Sequence, residues 1–346
     1  MRPSGTQNAP ACPRIVRLRF RTMFQLRFDL RVPPMANVTH ADQYRTMLEM
    51  VRWADTRGFA GTVVSEHHGT PDGFMCSPLI VASAILGSTR NLTCMISALL
   101  VPLHDPLRLA EDIATIDNLA PGRLIVVAAL GYRENEFEMF AKARPKRARL
   151  LEDAVHVMQT AWRGEPFEWD GRACWITPRP TTAPHPHLWI GGSVEKSARR
   201  AARLGLPFQP MVYDPALTDA YYDEARTVGF DTPFAAMSNG PGLVIVSEDP
   251  EAVWARIGPN LLFDAEQYAN WQYADQRSDW AVEASTVAEL RAAGQHAIIT
   301  PDECIELARR DGAVLLHPIC GGIDPEIGWE SLELVHNKVM PALAAS

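Results

Sequence analysis

The sequence lacks most of the short signatures that settle a function quickly, and each absence removes a class of chemistry. Its six cysteines (Cys12, Cys76, Cys94, Cys174, Cys304 and Cys320) include no CxxC pair, which argues against a zinc ribbon or a disulfide framework in a chain this long. There is no HExxH, no GxSxG and no GxxxxGK[ST], so the spacings used by zinc peptidases, nucleophile-elbow hydrolases and P-loop nucleotidases are missing. Positive charge does not dominate: 33 Lys and Arg against 41 Asp and Glu leave a net charge of −8, which argues against nucleic acid and membrane surfaces as partners. The first 22 residues carry five arginines but no apolar h-region, so no secretory signal is expected and the cytoplasm is the default location. Residues 1–22 are set aside as a disordered N-terminal extension, with Met23 as an alternative start, and 23–346 are expected to form a single domain.

What is present is a regular alternation of short apolar runs and amphipathic segments. Strands are expected at 24–30, 61–65, 92–99, 123–130, 188–190, 206–211, 242–246 and 313–317, because these runs are apolar or β-branched and end at polar or glycine-rich stretches. Helices are expected at 41–56, 78–89, 106–119, 147–162, 195–204, 302–310 and about 325–340. Residues 164–177 read as a hairpin insertion turning at Asp170-Gly171, and 250–293 as a helical insertion. Eight βα units in strict order favour an α/β fold, a TIM (β/α)8 barrel with helical and hairpin insertions, over a doubly wound sheet. The length of 346 residues suits such a barrel of about 250 residues plus insertions.

Catalytic side chains of a barrel sit at the carboxyl ends of its strands, and three constellations fall there. Glu66, His67 and His68 end the second run, where an imidazole can exchange a proton near neutral pH; the alternative is a structural pair bonded within its loop. Gly191-Gly192-Ser193 opens a helix, an arrangement that offers backbone N–H groups and a hydroxyl to a phosphate, though ordinary turns use the same residues. Gly131, Tyr132 and Arg133, with Glu134 and Glu136, follow the fourth run; Arg133 could clamp an anion, or the stretch could be a solvated loop. Phe74, Met75 and Trp271 are candidates for an apolar lining or for core. No metal site is expected.

The order SEHHG, SPLIVASAILGSTRNL, HDPLRLAEDIATIDNLAPGR, GYRENEF and LWIGGSVEKSARRAARLGLP resembles the bacterial luciferase-like flavin-dependent monooxygenases over about residues 24–345. The resemblance implies a barrel that binds reduced FMN supplied by a separate flavin reductase, or in some branches the deazaflavin coenzyme, and oxidises a small-molecule substrate. It implies a proton-transfer role for His67, with Glu66, Tyr132 and Arg133 beside the cofactor, and phosphate contacts from Gly191, Gly192, Ser193, Val194 and Ser197. It further implies a cis peptide at Ser97-Ala98 beneath the flavin ring. Two positions depart from luciferase: Ala129 stands at its reactive cysteine and Leu130 at a phosphate-contacting arginine, which argues against light emission and leaves either Arg133 as the replacement cation or a phosphate held by backbone N–H groups with no side-chain cation. SEHHG and GYRENEF look closer to the oxygen-using branch, so FMN is favoured; deazaflavin hydride transfer and a non-catalytic flavin-binding partner subunit remain the alternatives. A homodimer packed through the helices at 78–89 and 106–119 is expected.

Overall fold

The computed structural model describes residues 22–237, 240–271, 278 and 281–345, so all of the expected N-terminal extension except Thr22 lies outside the described residues. The strands are β1 (Met23–Phe28), β2 (Gly61–Val64), β3 (Thr93–Leu99), β4 (Leu124–Ala128), the short pair β5 (Phe167–Trp169) and β6 (Arg172–Cys174), then β7 (His187–Gly192), β8 (Phe208–Pro210), β9 (Leu243–Val246), β10 (His296–Ile299) and β11 (Ala313–Leu316). Nine of them form one sheet in the order β10-β9-β11-β1-β2-β3-β4-β7-β8, and every pairing in it is parallel. The helices between them are α1 (His40–Asp55), α2 (Pro78–Ser88), α3 (Pro106–Leu119), α4 (Glu134–Met139), α5 (Arg147–Ala161), α6 (Glu195–Arg203), α7 (Pro215–Val228), α8 (Pro250–Asn270), α9 (Val287–Ala293), α10 (Pro301–Asp311) and α11 (Pro325–Leu334); a π-turn over Val335–Val339 leads into α12 (Met340–Ala344).

The sheet is rolled. A single cavity of about 630 Å³ takes lining residues from β1 (Gln25), β2 (Val63), β3 (Met95), β7 (Trp189), β8 (Gln209), β9 (Val244) and β11 (Leu315), which a flat sheet could not bring together. The strands are therefore buried on both faces, by helices outside and by the lumen inside, and this is why β2 (GTVV) and β9 (LVIV) are continuously apolar rather than alternating. Register fixes where the site lies. Val64 pairs with Ile96, Ile96 with Val126, and Val126 with Leu188, so the residues just beyond each strand collect at one rim.

The hairpin turns as expected, with Asp170 and Gly171 both at positive φ, the conformation that an Asp-Gly turn supplies at low cost. Three elements differ from the sequence reading. The expected insertion at 250–293 is two helices, α8 and α9, and the strand β10 that follows was not foreseen because HAII is only four residues long. α7 was also missed, although Asp214 capping Ala216 N, Pro215 in the first turn and left-handed Gly229 at the end form a complete set of boundary signals. The GYRENEF stretch is not a solvated loop: α4 forms within it and buries Glu136 and Phe137. Among the described residues no helix is long and apolar enough to cross a membrane, and the five described cysteines are unpaired.

Gly61 lets β2 and β3 approach: a Cβ there would lie 2.3 Å from Thr93 Oγ1 and 2.8 Å from the Thr93 carbonyl oxygen. The hydroxyl could rotate away, but the carbonyl belongs to the sheet. Gly61→Ala is expected to lower stability by about 1–3 kcal/mol, read as a lower midpoint in urea unfolding; an unchanged midpoint would contradict the register.

Candidate active site

Glu66, His67 and His68 leave β2 at the rim, and each is buried. Glu66 faces α3's approach: Oε1 accepts from His68 Nε2 at 2.9 Å and His104 Nε2 at 2.7 Å, while Oε2 accepts from Leu100 N at 2.5 Å. Burial alone would raise this carboxyl, but the donors from His104, His68 and Leu100 outweigh it and hold it at about 2. Glu66 is a fixed negative charge that ties the end of β2 to the end of β3.

His67 turns the other way. Its Nδ1 lies 3.2 Å from Glu136 Oε1, an oxygen that also accepts from His68 N at 3.0 Å and from Arg133 Nη1 at 3.0 Å. Burial pushes the imidazole below its usual value near 6.5; Glu136 pulls it back only in part, and Arg133 and Arg31 push it down further. Burial raises the Glu136 carboxyl, yet His67, His68 N and Arg133 bring it below its usual range. A neutral ring beside an ionised carboxylate places its proton on Nδ1, which leaves the Nε2 lone pair for the cavity that His67 lines. Phe74 and Trp271, each with ring centroids 4.8 Å from the imidazole, and Tyr132 and Tyr268 at 5.8 and 6.0 Å close the remaining sides.

The residues expected to bind the cofactor line the same cavity, with one exception. The Ser97-Ala98 peptide is cis, and Ala129, Gly131 and Tyr132 stand beside it on the end of β4. On the end of β7, Gly192 permits a close approach, since a Cβ would sit 2.3 Å from that of Ser197. Gly191, Ser193 and Val194 continue this turn into α6, whose first N–H groups receive no side-chain cap. The exception is Arg133. Its guanidinium donates to His68 O at 2.7 Å and lies 4.4 Å over the Trp271 ring, so it braces His67 from behind, and the arginines that line the cavity are instead Arg27 on β1 and Arg147 at the start of α5. Phe74, Met75 and Trp271 are core: the first and last pack on His67, and none lines the cavity.

Sequence reasoning named Glu136 only as one of two carboxylates in the charged stretch after the fourth run, and did not single out Arg147, Tyr268 or His104. Nor did it find a second buried charge network: Arg31, fully buried, pairs with Asp72 at 2.5 Å and with Asp264, while Phe74, Tyr268 and Trp271 ring its guanidinium at 5.3–5.9 Å. Asp29 beside it is raised to about 6 by burial and by Asp264, against the pull of Arg31. Asp29, Asp264 and Cys320 bring possible metal ligands within 4.8 Å of one another, but Asp264 is already paired with Arg31, and burial holds the Cys320 thiol protonated.

A family model described as luciferase-like monooxygenase matches residues 23–310. The uncharacterized protein y4wF of Sinorhizobium fredii is 29% identical over 194 residues, 53% of this chain and 56% of that protein; the chain spans about half the length of the curated relatives it matches. Among solved structures, the monooxygenase RslO1 from Streptomyces bottropensis superposes with a TM-score of 0.74 at 22% identity, covering 92% of this chain and 99% of that one. The oxygenating constituent of 3,6-diketocamphane monooxygenase from Pseudomonas putida, in complex with FMN, does so with a TM-score of 0.70 at 17% identity, covering 92% and 98%. These likenesses confirm the fold expected from the sequence.

Glu136→Gln would leave Arg133 buried without its counter-charge and is expected to cost about 3 kcal/mol in denaturant unfolding; a loss below about 1 kcal/mol would deny Glu136 its hub role. The pH dependence of stability is a second check. Because the folded chain holds His67 below its unfolded value, the unfolded chain takes up that proton first, so the stability is present above about pH 6.5 and lost as pH falls. Between pH 7 and 5 the native protein should lose stability faster than His67→Gln; parallel curves would contradict this.

Proposed function

This chain belongs to the luciferase-like monooxygenase family, and on that premise we propose that it uses reduced FMN and dioxygen to oxidise a small organic substrate. The observation that carries the reading is the placing of the buried His67 imidazole, its Nδ1 3.2 Å from Glu136 Oε1, on the wall of the cavity that also holds the glycine cradle. The residues present fit a flavin. The cavity volume of about 630 Å³ falls within the 300–1,000 Å³ usual for ligand sites, and Gly192 lets Ser197 pack close to the uncapped start of α6, the kind of helix end that receives a phosphate. Gly191, Gly192, Ser193, Val194 and Ser197 would hold the phosphate, with Arg147 as the nearby cation. Ser97, Ala98, Ala129 and Gly131 would form the shelf for the ring, with Glu66 and Tyr132 at its rim.

When bound, the reduced flavin supplies the electrons with which dioxygen is activated. The chain supplies the rest. His67 Nε2 is an acceptor poised to take a proton from the reacting partners and return it, while Glu136 stabilises the imidazolium that forms transiently. Phe74, Tyr268 and Trp271 screen that proton from bulk water. The non-catalytic alternative is disfavoured because a partner subunit has no use for a base held in this state.

The further assignments rest on the same reading. A separate flavin reductase supplies the reduced cofactor, the protein acts in the cytoplasm, and residues 23–346 work as one domain. Two copies pair across α2 and α3, where Ile80 and Leu119 are exposed apolar side chains on packed helices; light scattering that gives a monomer would overturn the dimer. The deazaflavin coenzyme carries the same phosphate-bearing tail, so the cradle serves either, and FMN is the choice tested.

Anaerobic titration with reduced FMN and, separately, with the reduced deazaflavin coenzyme, followed by air, tests the proposal. Tight binding of FMN and its oxidation in air with conversion of a substrate support it; preference for the deazaflavin with indifference to air assigns hydride transfer instead. His67→Ala should lower turnover by about 10²–10⁴-fold with flavin affinity kept. Gly192→Ala should weaken FMN at least about tenfold while riboflavin, which lacks the phosphate, is little affected; equal losses would refute the cradle.

A further inference from the structure

The cavity reaches well past the site. At one end it is lined by Ser65, Ser97, Ala129 and Gly192, at or close to the carboxyl ends of β2, β3, β4 and β7. Its lining also includes Met23, Ala313, Gly242 and Gln295, which stand at the opposite end of the strands. Met23 and Ala313 are the paired first residues of β1 and β11, and Gly242 and Gln295 immediately precede Leu243 and His296, the paired first residues of β9 and β10. Because the strands are parallel, the cavity runs the length of the barrel, about 20 Å for the six residues of β1. Alternation along β1 places it in the lumen, since Met23, Gln25 and Arg27 line it while Phe24, Leu26 and Phe28 pack in the core.

The lumen of such a barrel is ordinarily filled by layers of bulky side chains and leads nowhere. Here Gly242 and Ala313 contribute almost no bulk to the last layer, and among the described residues the mouth they leave is open: Met23 and Phe234, both lining the cavity, are each 50% exposed. Phe234 meets Trp189 edge-on at 5.5 Å, and Met237 and Leu307 continue the apolar lining. Asp311 at this end is paired with Arg310 at 2.7 and 2.8 Å, so its charge is balanced locally. An uncharged apolar molecule gains by leaving water for such a wall, whereas a hydrated ion would have to shed its water without replacement.

We propose that the lumen is a second entrance to the site, opening at the N-terminal ends of the strands, and that it carries dioxygen to the cofactor while the C-terminal rim is occupied. The dioxygen role rests on the flavin reading; the entrance itself does not. On that reading the flavin ring and its phosphate use the rim, the face at which TIM barrels also take their substrates, and Phe74, Tyr268 and Trp271 close the His67 side of it. Dioxygen is the reactant small, uncharged and apolar enough to come through the lumen. Its arrival from below does not require the rim to open, so water is kept from His67 throughout.

Methionines report on the path. Met23 at the mouth and Met95 midway along β3 line the cavity, whereas Met47, Met50 and Met158 lie in the helix-covered core. Dissolved dioxygen is paramagnetic and broadens the methyl signals it reaches, so methionine methyl NMR of the full chain under oxygen, with and without oxidised FMN, tests the proposal. We expect Met23 and Met95 to broaden several-fold more than the core methionines, with FMN leaving this unchanged. Ala313→Trp, and separately Met23→Trp at a position exposed enough to accept the ring, should return Met95 to the core level and slow the oxidation of bound reduced FMN by dioxygen several-fold, with FMN affinity kept. Met95 no broader than the core, loss of its broadening when FMN binds, or no response to either plug overturns the proposal. If the plugs protect Met95 but FMN does not bind, the flavin reading falls, the dioxygen role falls with it, and the entrance is upheld.

Discussion

One carboxylate oxygen organises the site. Glu136 Oε1 sits within 3.2 Å of three nitrogens, those of His67 Nδ1, His68 N and Arg133 Nη1, and so binds the end of β2 to the short helix after β4. Ionised in a region closed to water, it would be costly to bury alone. The three donors offset that cost together, and in doing so they fix the orientation and tautomer of His67. Removing any one of them would change both the position and the proton affinity of the imidazole.

Around this hub the buried charges are arranged in layers. Trp271 lies between two guanidiniums, with Arg133 4.4 Å and Arg31 5.4 Å from its ring, and also packs on His67. Asp264, Tyr268 and Trp271 follow one another at helical spacing along α8 and its end, so a single helix face delivers a counter-charge, a phenol and an indole to the same place. Burial depresses the proton affinity of His67 and both cations lower it further, which is why the ring stays neutral although a carboxylate touches it.

Much of this was legible in the sequence, for identifiable reasons. Strands buried on both faces leave continuous apolar runs, so β2, β4 and β9 were found, and the motifs ending them fell at one rim because parallel register keeps strand ends level. Glycines at the end of β7 announced a close approach, and the distance between Gly192 and Ser197 shows what it is. What stayed hidden depends on contacts distant in the chain. Glu136 is 69 residues from His67, and nothing local separates it from Glu134 or Glu138. The Arg31–Asp264 pair spans 233 residues. Arg133 was read as a clamp for an external anion because its charge was visible and its internal partner was not.

The most direct test of the account is the protonation state of His67, read by nitrogen-15 NMR of the imidazole with His67→Gln as the assignment control. The account predicts a neutral ring at pH 7, protonated on Nδ1, that takes up its second proton only below about pH 6.5. A ring carrying its proton on Nε2, or an imidazolium at neutral pH, would contradict it.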